Sequence, residues 1–322
     1  MSVSPIRIDP SDGDQLMARV AHLYYEEMLT QEAIARQVGL TRWKVGRLLK
    51  AAREQGIVEI NIRHVDLRLA ELEASLRENF DLGHVIVTAS SAGNRTASLN
   101  AVARAAARYL ANLDPTPPLL ATSWGKTMTA VAEAIPDGWT HNVHVVQMNG
   151  ALTLGIVKGQ QTDPAHQISR SGNGHCTLLP VPAIVDKPAV REGLERDSAI
   201  AHVLSVARSA PVALFGIGLL SEDSVLAQSG YLESTQLARL RVSGAVGDVI
   251  GRFISSDGDI VDATLDARTL GLSLRELAAK DERIAVAHGA HKMAPTLGAL
   301  RAGLITTLIV DDDLGQALVA AL

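Results

Sequence analysis

Apolar residues recur three or four positions apart through residues 14–53, a period that predicts successive amphipathic helices around one small core. The first helix is expected from Asp14 to about Glu27. Two shorter helices follow, separated by Gly39, where a turn with positive φ has no steric cost. Thr41 comes next and can cap the third helix through its side-chain oxygen. This spacing of small, glycine and apolar positions predicts a helix-turn-helix.

The predicted third helix has one apolar face and one basic face, and no acidic residue stands between Thr41 and Arg53. Helix-turn-helix proteins insert such a helix into the major groove, where arginine can pair with guanine and lysine can contact phosphate. We therefore expect double-stranded DNA as a partner. The candidate DNA-binding residues are Gln31, Thr41, Arg42, Trp43, Lys44, Arg47 and Lys50. The alternatives are an ordinary helical hairpin with a solvated basic face and, for Trp43, packing onto the protein itself.

Gly46 interrupts the third helix, where glycine costs about 0.5–1 kcal/mol relative to alanine. Close approach to the DNA backbone is one explanation. Residues 57–62 then alternate as a short strand that fits a wing. Residues 66–80 form a charged amphipathic helix that either links or dimerises the chain or packs on a second domain. We place a DNA-binding domain at residues 1–64 and an effector-binding and oligomerisation domain at residues 65–322.

From residue 84 onward, short apolar runs alternate with helical segments, which predicts βα units and an open, mostly parallel α/β sheet. The predicted strands are residues 84–88, 118–123, 143–148, 211–218, 283–288 and 304–310. The predicted helices are residues 95–113, 127–134, 163–171, 198–209, 291–301 and 314–321.

The amino-acid composition limits the possible cellular compartments and binding partners of the protein. The 322 residues are 47% hydrophobic with a net charge of −5, so DNA binding has to come from a local basic face. A single cysteine, Cys176, excludes a disulfide within the chain and favours a reducing compartment. No segment approaches the roughly 20 apolar residues of a membrane span. We expect a cytoplasmic protein with no membrane partner.

Ligands of open parallel sheets bind beyond the carboxyl ends of the strands, and several predicted strand ends here carry polar or glycine residues. The candidate effector-binding residues are Ser123, Trp124, Gly125, Lys126, Thr127, Gln147, Asn149, Gly216, Asp248 and Lys292. Except for Asp248, each has a structural alternative: a capped helix start at residues 123–127, an Asn-Gly turn at residues 149–150, a packing glycine at Gly216 and a solvated first-turn lysine at Lys292.

The sequence does not match more specific motifs for nucleotide binding, hydrolysis or metal binding. A nucleotide phosphate loop needs glycine where Leu120 stands, and a hydrolase nucleophile elbow needs glycine where Ala121 stands. The histidine pairs at 141 and 144 and at 288 and 291 have no obvious third ligand nearby. We therefore expect no metal, no cofactor and no catalytic residue.

Several motifs together resemble the SorC family of bacterial sugar-binding transcriptional regulators. They are RLLKAAREQGIVEI (47–60), SWGKT (123–127), QMNGA (147–151), FGIG (215–218), GAVGDVIGRF (244–253) and LGALRAGLITTLIVDD (297–312). The resemblance implies a winged helix-turn-helix followed by a domain similar to sugar-phosphate isomerases, assembled as a homodimer or homotetramer. It also implies effector contacts from residues 123–127, Gln147, Asn149, Asp248 and Lys292. Departures at Ala121, at residues 288–291 and at residues 310–312 leave open whether the effector carries a phosphate.

The expected function is regulation of a carbohydrate or polyol catabolic operon, with operator binding modulated by a sugar, polyol or sugar phosphate. Two alternatives remain at this level. One is a sugar-phosphate isomerase or deaminase with a DNA-binding extension, and the other is a constitutive DNA-binding scaffold whose second domain only oligomerises.

Overall fold

The computed structural model describes residues 13–58, 69–91, 93–151 and 163–322. The chain divides into two compact units, Met1–Val65 and Asp66–Leu322. In the described part of the chain, no helix combines the length and the apolar character needed to cross a bilayer.

The described residues of unit 1 form three helices: α1 (Gly13–Tyr25), α2 (Gln31–Val38) and α3 (Arg42–Glu54). Their inner faces share one core that includes Val20, Ile34, Val45 and Leu49. The turn between α2 and α3 is made by Gly39 at φ 69°, and the Thr41 side chain accepts a hydrogen bond from the Lys44 N–H. The predicted helix-turn-helix, its turn and its cap are confirmed. Of the predicted strand at residues 57–62, residues 57 and 58 are not in a strand, and the rest lies outside the described residues.

Unit 2 alternates strands with helices. Its strands are β1 (His84–Thr88), β2 (Leu119–Thr122), β3 (His144–Gln147), β4 (His175–Thr177), β5 (Val212–Leu219), β6 (Gly247–Val249), β7 (Arg252–Ile254), β8 (Glu282–Val286) and β9 (Thr307–Asp311). Its helices are α4 (Ala70–Phe80), α5 (Arg95–Ala111), α6 (Lys126–Ala134), α7 (Pro164–Ser171), α8 (Pro188–Arg196), α9 (Ser198–Ser209), α10 (Val225–Gln228), α11 (Ser234–Val242), α12 (Ala263–Asp266), α13 (Leu274–Ala278), α14 (Met293–Arg301) and α15 (Asp312–Ala320), with a 3₁₀ turn at Ala290–Lys292.

The sheet is parallel in the order β1-β9-β8-β5-β2-β3-β4, and β6 and β7 form an antiparallel hairpin on the end of β5. One face packs against α4, α9, α14 and α15 through residues such as Leu76, Leu204, Leu297 and Leu314. The other packs against α5, α6 and α7 through Val102, Val131 and Ile168. The predicted mostly parallel α/β architecture is confirmed. The sheet lies between two layers of helices.

The described part of the amphipathic segment, residues 69–80, packs on unit 2, as one of the two alternatives expected. Leu76 of α4 is fully buried, and Leu72 lies against Gly315 of α15. The Glu73 carboxylate accepts a hydrogen bond from the Val87 N–H at 2.9 Å, which satisfies a backbone donor of the edge strand β1.

Candidate functional site

The strand order reverses between β2 and β5. From β2 the chain continues outward to β3 and β4, whereas from β5 it continues through β8 and β9 in the other direction. In open α/β sheets this reversal opens a crevice at the carboxyl ends of the two strands. β5 also changes partners there: residues 212–216 pair with β8, and residues 217–219 pair with β6. The predicted effector residues of unit 2 lie on β5, on β6 that pairs with it, or at and after the carboxyl ends of β2, β3 and β8.

The loop after β2 contributes backbone more than side chains. Gly125, at φ 118°, precedes α6, whose first N–H groups have no side-chain cap. Ser123 and Thr127 are buried, whereas Lys126 is exposed. The Trp124 indole N–H donates to the Gly150 carbonyl at 2.7 Å, so this side chain ties the β2 loop to the β3 loop. Free N–H groups at a helix start attract anions.

The end of β3 presents two buried amides in different states. The Gln147 side-chain oxygen accepts a hydrogen bond from the Leu179 N–H at 3.2 Å, which fixes a neighbouring loop. Asn149 is only 1% exposed, and its side-chain nitrogen and oxygen have no hydrogen-bond partner among the described residues. A buried polar group left unpaired costs about 1–3 kcal/mol. Asn149 therefore has a buried donor and a buried acceptor that are free of partners among the described residues, just beyond the carboxyl end of β3.

Two buried charges meet at the end of β5. The Asp248 carboxylate accepts a hydrogen bond from the Gly251 N–H at 2.9 Å, and the Lys292 ammonium donates to the Ile217 carbonyl at 2.8 Å. Burial raises the pKa of Asp248 to about 6, against the lowering effects of the Gly251 N–H and Lys292. Burial lowers the pKa of Lys292 to about 8, against the raising effects of Asp248 and Asp311.

Lys292 is 8% exposed, so the alternative of a solvated first-turn lysine is wrong. Gly216 lies beside Thr127, since a Cβ at Gly216 would be 3.5 Å from the Thr127 Cβ. Gly218 lies under the Asp248 carboxylate, where a Cβ would be 1.8 Å from Oδ1. The structure thus brings the β2 loop, the β5 glycines, Asp248 and Lys292 together at the carboxyl end of β5.

Asp311 and Arg252 support the site and were not among the predicted residues. The Asp311 carboxylate accepts a hydrogen bond from the Gly289 N–H that both of its oxygens share, and another from the Leu314 N–H, so it holds the turn before Lys292 and caps α15. The Arg252 guanidinium donates to the carbonyls of Leu272 and Gly271. The only sequence signal for them is that Arg252 falls inside the motif GAVGDVIGRF and Asp311 inside the motif LGALRAGLITTLIVDD.

His288 supplies a test of the site's electrostatics. Its pKa is lowered to about 4, first by burial and then by Lys292, His291 and Arg95. A native pKa below the ordinary value of 6.5 means that stability present above pH 6.5 is lost as the pH falls toward 4. His288→Gln should reduce this acid-induced loss in the free energy of unfolding by about 1 kcal/mol. The value is small because the side chain is partly exposed and solvent screens its charge.

Urea unfolding at pH 7.5 and pH 4.5 measures this difference. His141→Gln, at an exposed histidine before β3, serves as the control and should decline with pH as the wild type does. An equal decline in the His288 variant would contradict the assignment.

On α3 of unit 1, the predicted DNA-binding side chains are solvent-facing. Arg42, Trp43, Lys44, Arg47 and Lys50 are exposed. Trp43 is 72% exposed, and the Arg47 guanidinium lies over its ring at 5.0 Å from the centroid. The alternative that Trp43 packs into the protein core is therefore wrong.

Other predicted contacts of this surface have partners within unit 1. The Lys50 ammonium lies 3.7 Å from a Glu54 carboxylate oxygen, an exposed pair. A Cβ at Gly46 would lie 3.4 Å from the Gln31 side-chain oxygen, so α2 gives this glycine a neighbour. Elsewhere, across the described ranges, no three His, Cys, Asp or Glu side chains are grouped to hold a metal ion.

Known proteins resemble this chain over nearly its whole length. A family model described as "Putative sugar-binding domain" matches residues 67–320. The deoxyribonucleoside regulator of Bacillus subtilis (strain 168) is 29% identical over 308 residues, which cover 96% of this chain and 98% of the relative. The sorbitol operon regulator of Klebsiella pneumoniae is 27% identical over 320 residues, which cover 97% of this chain and 99% of the relative.

Solved structures resemble the fold as well. The full-length sorbitol operon regulator SorC from Klebsiella pneumoniae superposes with a TM-score of 0.72 at 27% identity, covering 97% of this chain and 100% of that chain. A domain of a possible sugar-binding transcriptional regulator from Arthrobacter aurescens TC1 gives a TM-score of 0.69 at 29% identity, covering 80% of this chain and 100% of that chain.

Proposed function

Because the chain belongs to the SorC family of sugar-binding transcriptional regulators, we propose that it is an effector-responsive regulator of a carbohydrate or polyol catabolic operon. Unit 1 binds double-stranded operator DNA through α3. The crevice between β2 and β5 binds a sugar, a polyol or a sugar phosphate. Two of the relatives are a deoxyribonucleoside regulator and a sorbitol operon regulator. Their names support small hydroxylated molecules as the effector class. The protein acts in the cytoplasm, where operator DNA lies.

The unpaired carboxamide of Asn149 carries this proposal. A protein domain tolerates a buried, unpaired amide at a cost in stability, and a ligand hydroxyl restores both hydrogen bonds. Asp248 adds a buried acceptor for further hydroxyls, and Lys292 adds a buried donor and positive charge. The N–H groups at the start of α6, with exposed Lys126, supply the place for an anionic group of the effector.

Regulation requires the effector to distinguish two states of the protein. In a homodimer or homotetramer, the effector binds one arrangement of subunits more tightly, and only one arrangement spaces two α3 helices for successive turns of the major groove. A coupling free energy of about 1–3 kcal/mol changes operator affinity several-fold to about a hundredfold.

An enzymatic alternative has one observation in its favour. The pKa of Asp248 is raised to about 6 by burial, which suits a general base. The regulators among the relatives favour binding without turnover, and we propose that the chain is not an enzyme. Incubation with hexose and pentose phosphates, followed by product analysis, separates the two. Turnover that disappears in Asp248→Asn would contradict the proposal.

A thermal-shift screen against sugars, polyols and their phosphates tests the effector site directly. A ligand at one hundred times its dissociation constant stabilises the folded state by about 2.7 kcal/mol. A phosphorylated hit supports Lys292 and the start of α6 as the anion site. A neutral hit supports Asn149 and Asp248. No hit together with effector-independent operator binding would favour the scaffold alternative and contradict the effector part of the proposal.

Arg47→Ala should weaken operator binding by about 1–3 kcal/mol, because Arg47 is exposed on the basic face of α3 and can pair with a guanine edge. Binding is measured by fluorescence anisotropy at fixed salt. Arg239→Ala removes the same charge from an exposed position on α11 of unit 2 and should leave affinity unchanged. Equal affinities and equal sequence preference for the wild type and Arg47→Ala would contradict a base-reading role.

A further inference from the structure

We infer that Trp43 and Arg47 act as one reading unit that recognises a thymine next to a guanine, with Arg47 on the guanine and Trp43 on the thymine methyl group. The inference rests on the proposed function, since it specifies how α3 selects its operator. The helix-turn-helix pattern itself does not require an aromatic side chain at the position of Trp43.

The geometry of Trp43 is unusual for a large apolar side chain. It lies in the first turn of α3 and is 72% exposed, although the core of unit 1 lies on the opposite face of the same helix. That core contains Val45 and Leu49 of α3 and makes no use of the indole. A solvent-facing indole at the amino end of a reader helix gains burial only when another surface covers it.

Arg47 lies one helical turn after Trp43, and its guanidinium carbon is 5.0 Å from the centre of the indole ring. A cation over an aromatic face at this distance is attracted by the ring electrons. The contact restricts the rotamers of a long side chain while its N–H edge stays available for donation. Arg47 is thus oriented before DNA arrives, which lowers the entropy lost on binding.

The chemistry of the pair matches two adjacent base edges in the major groove. Guanine offers O6 and N7 to the two N–H groups of an arginine, and thymine offers an apolar C5-methyl group. An indole whose face packs against the guanidinium has its edge free to cover that methyl group on the neighbouring base pair. Arg42 and Lys44 flank the pair on the exposed surface of α3 and can contact phosphates. Phosphate binding therefore does not require the indole.

The experiment is selection from a random duplex library with the full chain, in parallel for the wild type, Trp43→Ala, Trp43→Phe and Arg47→Ala. The best wild-type duplex is then remade with deoxyuridine in place of each selected thymine, which removes only the methyl group. Because Trp43 is exposed, its variants should fold, and unfolding curves check this. Phenylalanine keeps an aromatic ring but lacks the indole N–H.

We expect the wild type to select a thymine–guanine step in each half-site. Deoxyuridine at that thymine should weaken wild-type binding about three- to fivefold, the effect of one buried methyl group. The same change should not weaken binding by Trp43→Ala, whose selected sequences should keep the guanine and lose the thymine. Arg47→Ala should lose the guanine. Trp43→Phe should keep both preferences at somewhat lower affinity.

Three results would overturn the inference while leaving the proposed function intact. They are an unchanged sequence preference in Trp43→Ala, an equal deoxyuridine effect in the wild type and Trp43→Ala, or a Trp43→Phe variant that matches Trp43→Ala because the indole N–H contacts a phosphate. Failure of the wild type to enrich any duplex would contradict the proposed function, and the inference with it.

Discussion

Replacing Gly218 with alanine is expected to abolish the effector response and to lower the free energy of unfolding by about 1–3 kcal/mol, the usual cost of overpacking a closely packed position. The added Cβ would lie 1.8 Å from Oδ1 of Asp248 and 2.5 Å from its Cγ. Gly218 pairs directly with Asp248 across the β5–β6 ladder, so the strand backbone cannot move away without breaking that pairing. The carboxylate has to turn aside instead.

That displacement removes Asp248 from the crevice. The carboxylate is buried and held by the Gly251 N–H, so turning it aside loses a hydrogen bond and leaves this donor unpaired. The Lys292 ammonium at the same time loses part of the charge stabilisation that Asp248 provides. We therefore expect the effector to bind poorly to a protein that is still folded.

Thermal shift with the effector hit and urea unfolding without ligand measure the two effects separately. Gly216→Ala, two residues earlier on β5, is the stability control, because its Cβ would make only an ordinary 3.5 Å contact with Thr127. The double variant Gly218→Ala, Asp248→Ala removes the clash, so it should regain most of the lost stability and still lack the effector response. A Gly218→Ala protein that responds like the wild type would contradict a role for Asp248 in binding.

The sequence predicts best those elements whose apolar residues form a dense run or a continuous stripe. The predicted strand at residues 84–88 coincides with β1, and the predicted helix at residues 198–209 coincides with α9. Elements that lack such a pattern were not predicted. The strands β4, β6 and β7 have three residues each, too few to establish an alternation, and α8 buries none of its residues.

The location of the crevice could be predicted because parallel strands end on one edge of a sheet, so residues that follow different strands become neighbours. The hydrogen-bond partner of each side chain could not be predicted in this way. Gln147 and Asn149 look alike in the sequence, yet Gln147 is bonded to a backbone group 32 residues away and Asn149 is unpaired. The burial of Lys292 also depends on distant strands, since its ammonium reaches the carbonyl of Ile217.

Asn149→Leu is expected to change stability and function in opposite directions. Leucine has a similar size and removes a buried donor and acceptor that have no partner among the described residues. The ligand-free protein should therefore gain about 1–3 kcal/mol in the free energy of unfolding. The effector loses two hydrogen bonds and meets an apolar surface in their place, so the thermal shift at a saturating wild-type concentration should disappear.

Thr88→Val is the matched control, because the Thr88 hydroxyl is another buried group with no partner among the described residues. It lies at the end of β1, which four strands separate from β3 in the sheet. This variant should also gain stability, but it should keep the full effector response. Loss of the response in both variants would mean that any change of buried polarity disturbs unit 2. A full response in Asn149→Leu would remove Asn149 from the site, because an effector that binds equally well to leucine makes no use of the amide.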